Sequence, residues 1–288
     1  MHRFLLLPLL LMVSLLTACA QRNCPGALPS DYEAQIRDWQ QAQQASLSAP
    51  QGWNSLIGLY WLKPGENRCG SGPDMDILLP PGHPAWAATY TLEAGKLSCM
   101  LNPAAEVQWL EPEHCSMQSG SLIWHVIERG GRQGVRLRDT LRPARIRLRP
   151  RSYFPIRADY RVCAQVLPIA DQDSILLHNV LDMAYTLPVA AKLRFELGGA
   201  THEIVALDGG SEQLFVVLSD ETTGETTYGG GRYLYCPRPD AKGRTIIDFN
   251  QLYNPPCVFT DYATCLLPPA ENHIPLPLEV GEKIYGDH

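Results

Sequence analysis

Residues 192–207 read Lys192-Leu193-Arg194-Phe195-Glu196-Leu197-Gly198-Gly199-Ala200-Thr201-His202-Glu203-Ile204-Val205-Ala206-Leu207. Apolar and charged residues alternate over Lys192 to Leu197, the period of a strand with one buried face, and a Gly pair separates this run from a second one, Thr201 to Leu207. The same punctuation recurs every ten residues or so. Short runs bounded by Gly, Pro, Asn and Asp are Trp53 to Leu62, Asp76 to Leu79, Thr89 to Leu92, Lys96 to Leu101 and Leu122 to Glu128. They continue with Gly134 to Leu137, Ala144 to Leu148, Tyr160 to Leu167, Gln213 to Ser219 and Thr245 to Phe249. Against these stands one clear helix: Ser30-Asp31-Tyr32-Glu33 reads as a capping box ahead of Tyr32, Ile36 and Trp39, and the helix ends before Pro50. The expected fold is mainly β, a sandwich or barrel-like set of antiparallel sheets with one N-terminal helix. The C-terminal stretch carries Pro255, Pro256, Pro268, Pro269, Pro275 and Pro277, which excludes an ordinary helix or central strand. It is expected to cover the sheet irregularly, anchored by Ile274, Leu276 and Leu278.

The chain of 288 residues is 45% hydrophobic and 19% charged, with a formal charge of −6, so it folds and offers no overall basic surface for nucleic acid. The charge is unevenly spread. Eleven of the 19 Arg fall in residues 129–161. Arg145, Arg147, Arg149 and Arg151 alternate with Ile146, Leu148 and Pro150, so a strand there would align four guanidinium groups, either as an anion-binding strip or as a solvated edge that discourages pairing.

The N-terminus, MHRFLLLPLLLMVSLLTAC, combines a basic start with an apolar run too short to span a bilayer. Leu16-Thr17-Ala18-Cys19 fits the bacterial lipobox, which predicts a signal peptide over 1–18, acyl chains on Cys19 and a tether over 19–29. Ala20 after the lipidated Cys favours the outer membrane, with the body facing the periplasm. Residues 30–288 form the β-rich body, and a division into N- and C-terminal β subdomains, if one exists, is expected near 115–130. Beyond Cys19 there are eight further thiols, an even number in an oxidising compartment. Cys257 and Cys265 are the most local candidate disulfide; for Cys99 and Cys163 a buried free thiol is the ordinary alternative.

Standard catalytic and nucleotide motifs are missing: there is no HExxH, GxSxG, Walker A loop or GxGxxG after a strand. Nothing calls for a metal or another cofactor. The densest polar cluster lies in residues 220–272, where a triple Gly precedes Arg232, and Asp248, Asn250, Tyr253 and Asn254 run into Pro255-Pro256, followed by Glu271-Asn272. Such rigid loops present donors and acceptors to a polar ligand, or cap their own turns.

Four stretches of this chain resemble the uncharacterised bacterial family named domain of unknown function 1684. They are Gly58-Leu59-Tyr60-Trp61-Leu62-Lys63-Pro64-Gly65-Glu66-Asn67; Arg136-Leu137-Arg138-Asp139; Thr226-Thr227-Tyr228-Gly229-Gly230-Gly231-Arg232; and Asp248-Phe249-Asn250 through Tyr253-Asn254-Pro255-Pro256-Cys257 to Cys265, Pro268-Pro269, Glu271-Asn272 and Gly281-Glu282-Lys283. The likeness spans about residues 35–285, departs at Leu266, where the family has Pro, and implies a β-rich fold without a settled activity. Residues 65–101 are also similar to the opening of a forkhead-associated domain, with Ser71 where those domains carry their phosphate-reading Arg. The leading expectation is a lipid-anchored envelope protein, attached to the membrane through Cys19, that binds a small polar or anionic ligand or an envelope component. A hydrolase using Asp248 or Glu271 as acid or base is the alternative, with Arg232 or Asn250 holding substrate charge. A structural scaffold, in which Arg232 and Asp248 pair internally, is the third.

Overall fold

The structure, a computed structural model, describes residues 27–101, 107–109, 116–170 and 173–286. Cys19, the predicted signal peptide, most of the tether, Cys24, His114 and Cys115 lie outside the described residues. Helix α1 (Tyr32–Ser46) comes first, followed by β1 (Leu56–Trp61), β2 (Gly65–Gly70), β3 (Ile77–Leu78), β4 (Ala88–Glu93), β5 (Lys96–Leu101), β6 (Val107–Trp109), β7 (Ser116–Ser119), β8 (Leu122–Arg129) and β9 (Arg132–Asp139). After a single helical turn, α2 (Arg142–Arg145), come β10 (Arg161–Leu167), β11 (Ser174–His178), β12 (Ala184–Pro188), β13 (Ala191–Leu197), β14 (Ala200–Asp208), β15 (Gln213–Asp220), β16 (Arg232–Pro237), β17 (Arg244–Asp248) and β18 (His273–Ile274). Among the described residues no helix is long and apolar enough to cross a membrane.

The first nine strands make two sheets, ordered β1-β9-β8-β7 and β3-β2-β4-β5-β6. They face each other across one core. Cys69, Ile77, Ala88, Tyr90 and Leu97 enter it from one sheet, and Leu122, Trp124, Val126, Val135 and Leu137 from the other. This is a sandwich. Ser71, at the position of a forkhead-associated Arg, donates instead to the His83 carbonyl (2.6 Å).

Of the remaining strands, β11 and β12 pair with each other as a two-stranded sheet, and the other seven build a sheet in the order β16-β15-β14-β13-β10-β17, with β18 added to β15. Strand β16 returns against β17, where the Thr245 hydroxyl donates to the Pro237 carbonyl (2.6 Å), so the sheet is nearly closed and barrel-like. The opening hairpin behaves as its alternation requires: Ala191, Leu193, Phe195 and Leu197 are buried, while Arg194 and Glu203 pair across the outer face (2.7 Å). Gly198 (φ +61) and Gly199 (φ +79) supply the two left-handed residues of its tight turn. The C-terminal segment is drawn into the barrel rather than laid over it. Ile274, Leu278 and Val280 are at most 1% exposed and pack against Leu193, Phe195 and Phe249.

Three sequence expectations change here. Glu33 does not close a capping box. The N-cap is Asp31 without a side-chain cap bond, and Glu33 pairs with Arg37 (2.7 Å) on the solvent face. No strand forms over Ala144 to Leu148, because Pro143 stands in the first turn of α2, and the chain from there to residue 152 joins no ladder. Cys163 is disulfide-bonded, not a buried free thiol. Cys257 and Cys265 are bridged, with Cα atoms 6.1 Å apart. Burial pushes the Cys69 and Cys236 thiols up to about 12, which makes them inert packing groups.

Candidate functional site

Arg232 follows Gly231, whose φ of +77 and whose position against the Leu218 carbonyl and Pro268 leave no room for a Cβ. That turn sends the Arg232 side chain inward, where it is 1% exposed. Its partner is Asp220 at 2.8 Å, not Asp248. Its Nη atoms also donate to the carbonyls of Leu278 (2.9 Å), Val280 (2.6 Å) and Glu282 (3.2 Å). Asp220 in turn accepts from the Thr222 amide (2.9 Å), the Thr222 hydroxyl (2.5 Å) and the Leu278 amide (3.2 Å). Arg232 is therefore a brace that ties the C-terminal segment to β15.

Asn254 and Glu282 form a second brace. Glu282, fully buried, accepts from the Asn254 amide and from Arg151 Nε, both at 2.8 Å, and Asn254 Nδ2 donates to the Lys283 carbonyl (2.8 Å). Burial raises the Glu282 carboxyl while Arg151 pulls it back. Arg151 also donates to the Gln43 carbonyl (2.9 Å), gripping the C-terminal end of α1. Its side chain is 3% exposed, whereas Arg145, Arg147 and Arg149 are exposed. The four arginines therefore do not share one face. Arg145 pairs with Asp139 (3.2 Å).

Asn272 stands where β14 and β15 have separated. Its amide receives the Val205 N–H (2.7 Å) and donates to the Val205 (2.9 Å) and Val217 (2.8 Å) carbonyls, replacing lost ladder bonds. Neighbouring Glu271 is exposed on the short 3₁₀ turn Ala270–Asn272. Asp248 ends β17 on the far side of β10 and β13, so the structure does not bring the two carboxylates onto shared partners. Tyr253 exchanges both backbone bonds with Tyr233, and its ring stacks on Tyr235 (6.3 Å, 10°).

Asp248 differs from the braces because it lines a cavity of about 350 Å³ beneath α1. Tyr32, the first residue of the helix, donates its hydroxyl to Asp248 Oδ1 (2.8 Å) and Oδ2 (2.9 Å). Asn250 adds its backbone N–H and Nδ2, both at 3.1 Å to Oδ1, and binds the Arg157 backbone through both ends of its amide (2.8 Å each). Burial raises the Asp248 carboxyl, against the pull of Tyr32, Asn250 and Arg161. Burial likewise raises the Tyr32 phenol.

Across the ladder from Asp248, in direct register on β10, is Arg161. Arg161 lines the same cavity, and among the described residues its guanidinium has no ion pair and no hydrogen bond. Two more arginines share the wall. Arg238 pairs with Asp208, and Arg244 with Asp240 (3.1 Å), leaving the buried Arg244 Nε without a partner. Arg161, Arg238 and Arg244 thus line, together with Asp240 and Asp248, a space of small-molecule size, with Asp208 holding Arg238 from outside its wall. Among the described residues no group of three or more His, Cys, Asp or Glu could hold a metal ion.

Sequence reasoning found Asp248 and Asn250 but not Tyr32, Arg161, Asp220 or Glu282. Arg161 carried a usable signal: a lone charge opening an apolar run, Arg161-Val162-Cys163-Ala164, whose register faces the Asp of the next family stretch.

No curated protein matches the chain. Among solved structures, an uncharacterized protein of Haloarcula marismortui, determined in solution by NMR, is similar at 30% identity and a TM-score of 0.41. The match covers 49% of this chain and 80% of the archaeal one. The family model described as "Protein of unknown function (DUF1684)" matches residues 149–283, which hold β10 to β18, both braces and the barrel side of the Asp248 cavity; the α1 side of that cavity and the stretches 58–67 and 136–139 lie outside the match. Over this C-terminal stretch, just under half of its length, the chain is similar to that family of proteins of unknown function.

Proposed function

We propose that this chain is a lipid-anchored protein of the bacterial outer membrane, facing the periplasm, that binds a small polar or anionic ligand in the cavity beneath α1. The lipobox ending at Cys19 supports the anchor. The observation that carries the binding reading is Arg161, which faces Asp248 but, among the described residues, makes no close ion pair or hydrogen bond through its guanidinium, on the wall of a 350 Å³ cavity that also includes Arg244, whose Nε has no partner. A guanidinium fork in that setting suits a carboxylate or phosphate. The family residues Arg232, Asn254 and Asn272 serve by holding the C-terminal segment against the barrel, so that Asp248, Asn250 and Arg161 keep their places.

A hydrolase reading draws on one feature, the buried Asp248 with its raised carboxyl, positioned by Tyr32 as an acid or base would be. Thermal-shift and turnover measurements on a panel of envelope sugars, esters and phosphates separate the two. Saturable stabilisation without product formation is expected. Turnover in the wild type that Asp248→Asn abolishes while binding is kept would replace binding by catalysis. Fractionation tests the anchor: Cys19→Ser should move the chain out of the membrane fraction and remove acyl labelling, and unchanged partitioning would refute it.

A further inference from the structure

Strand β9 sends Val135 and Leu137 into the sandwich core, so Arg136 and Arg138 leave on the opposite face, with His125 of β8 in register beside Arg136. Arg138 is satisfied there by the Gln51 carbonyl (2.7 Å), the Gly52 carbonyl (2.9 Å) and the Ser55 hydroxyl (3.0 Å). Arg136 is not. It is 4% exposed, its Nε has no hydrogen-bond partner, and among the described residues no carboxylate pairs with it. Among the described residues its side chain makes one hydrogen bond, a long donation from Nη2 to the Thr264 hydroxyl (3.4 Å), and Trp53 lies 5.9 Å from its guanidinium. The other deeply buried arginines, Arg151 and Arg232, each have a carboxylate at 2.8 Å. An uncompensated buried guanidinium costs several kcal/mol unless something supplies the missing charge.

Thr264 is also the point where Arg136 reaches a cavity of about 540 Å³, walled by Arg129 and Gly130 of the β8–β9 turn, Tyr185 and Leu187 of β12, and Leu266. Since Thr264 accepts from Arg136, its own O–H is free to donate onward. Tyr185 accepts from Asn179 Nδ2 (2.8 Å), and among the described residues its O–H has only the Met183 thioether at 3.9 Å.

We infer that this cavity is a second binding site, distinct from the one beneath α1, for an organic oxyanion, a carboxylate or phosphate monoester with an apolar body. The oxyanion accepts from Arg129, Thr264 and Tyr185, with Arg136 behind Thr264 supplying charge, and the body rests on Leu187 and Leu266. Electrostatics agrees with the geometry. Burial first, and then Arg138, Arg136 and Arg129, push His125 down to about 4; burial, Arg129 and Arg138 push Arg136 down to about 10. The one carboxylate on the wall is Glu128, exposed at the rim.

The test is calorimetric titration and thermal unfolding of the full chain with benzoate, phenyl phosphate and benzyl alcohol. At least one of the two anions should bind and raise the melting temperature, and which one does so separates a carboxylate from a phosphoryl ligand; the alcohol should do neither. Arg129→Ala should weaken the anion at least tenfold. Arg136→Met should abolish the anion-dependent rise without lowering the melting temperature of the free protein, and wild-type His125 should titrate higher once the anion is bound. Arg161→Ala, which weakens any anion held beneath α1, is the background in which these changes are read, and should itself leave this second site's binding intact. Failure of both anions to bind, equal binding of the alcohol, or loss of binding in Arg161→Ala but not in Arg129→Ala would overturn the site.

Discussion

Replacing Asp220 with Ala removes the counter-charge of Arg232 and four accepted hydrogen bonds at once. Oδ2 takes Arg232 Nη2 at 2.8 Å, and Oδ1 takes the Thr222 amide at 2.9 Å, the Thr222 hydroxyl at 2.5 Å and the Leu278 amide at 3.2 Å. The side chains of Arg232 and Asp220 are 1% and 0% exposed, so water does not substitute for what is lost. Removing one partner of such a buried pair costs about 3–5 kcal/mol. In a chain of this size each kcal/mol lowers the melting temperature by roughly 2–4 °C, so a fall of about 6–20 °C is expected. Asp220→Asn keeps an acceptor for Thr222 but not the charge, and should fall between wild type and Asp220→Ala. Urea unfolding followed by circular dichroism gives the free energy. Hydrogen exchange gives the location, since the amide of Leu278, which donates to Asp220, should lose protection first. An Asp220→Ala protein within about 1 kcal/mol of wild type would refute the reading of Arg232 as a brace, because a lost buried counter-charge cannot be that cheap.

Asn272→Ala strips the Val205 N–H and the Val205 and Val217 carbonyls of their partners, and should cost about 3 kcal/mol by urea unfolding, with faster exchange at the Val205 amide. His125 sits near 4 in the folded chain against about 6.5 unfolded, so the unfolded chain alone takes up its proton between those values. Stability therefore falls on acidification from pH 6.5 to 4, and His125→Gln should flatten that limb of the stability curve. Asp248, raised by burial, acts with the opposite sign, holding its proton to higher pH when folded, so it does not mask the difference between variant and wild type. Opening the Cys257–Cys265 bridge with Cys257→Ser frees a loop of eight residues' separation and should cost about 2.5 kcal/mol of unfolding free energy.

The strands were legible where one face is apolar and the turn is marked. Lys96 to Leu101 has the bounds of β5, and residues 192–207 give the β13–β14 hairpin almost to the residue. Strand β2 was hidden because Gly65-Glu66-Asn67-Arg68-Cys69-Gly70 has almost no apolar alternation; Asn67 is buried there by bonding the backbone of Lys63 and Gly65 rather than by hydrophobicity. Arg145 to Arg151 misled in the other direction. Its alternation has the strand period, but Pro143 and Pro150 deny the segment a ladder, and Arg151 turns inward to meet Glu282. Asp248, Asn250 and Asn272 stood out as polar residues in a Pro-rich context. Whether each would serve a ligand or its own backbone depended on partners more than 50 residues away, such as Tyr32 and Val205, which spacing does not reveal.

The most direct test of the proposed ligand cavity is calorimetric titration of inorganic phosphate into the wild type, Arg161→Ala and Asp248→Asn. Saturable binding is predicted in the wild type, weakened about tenfold, or 1.4 kcal/mol, in Arg161→Ala. In Asp248→Asn binding should be kept or tightened, since a negative charge facing the anion is gone. Equal affinity in wild type and Arg161→Ala, or loss of binding in Asp248→Asn alone, would contradict the assignment of an anion to the cavity beneath α1.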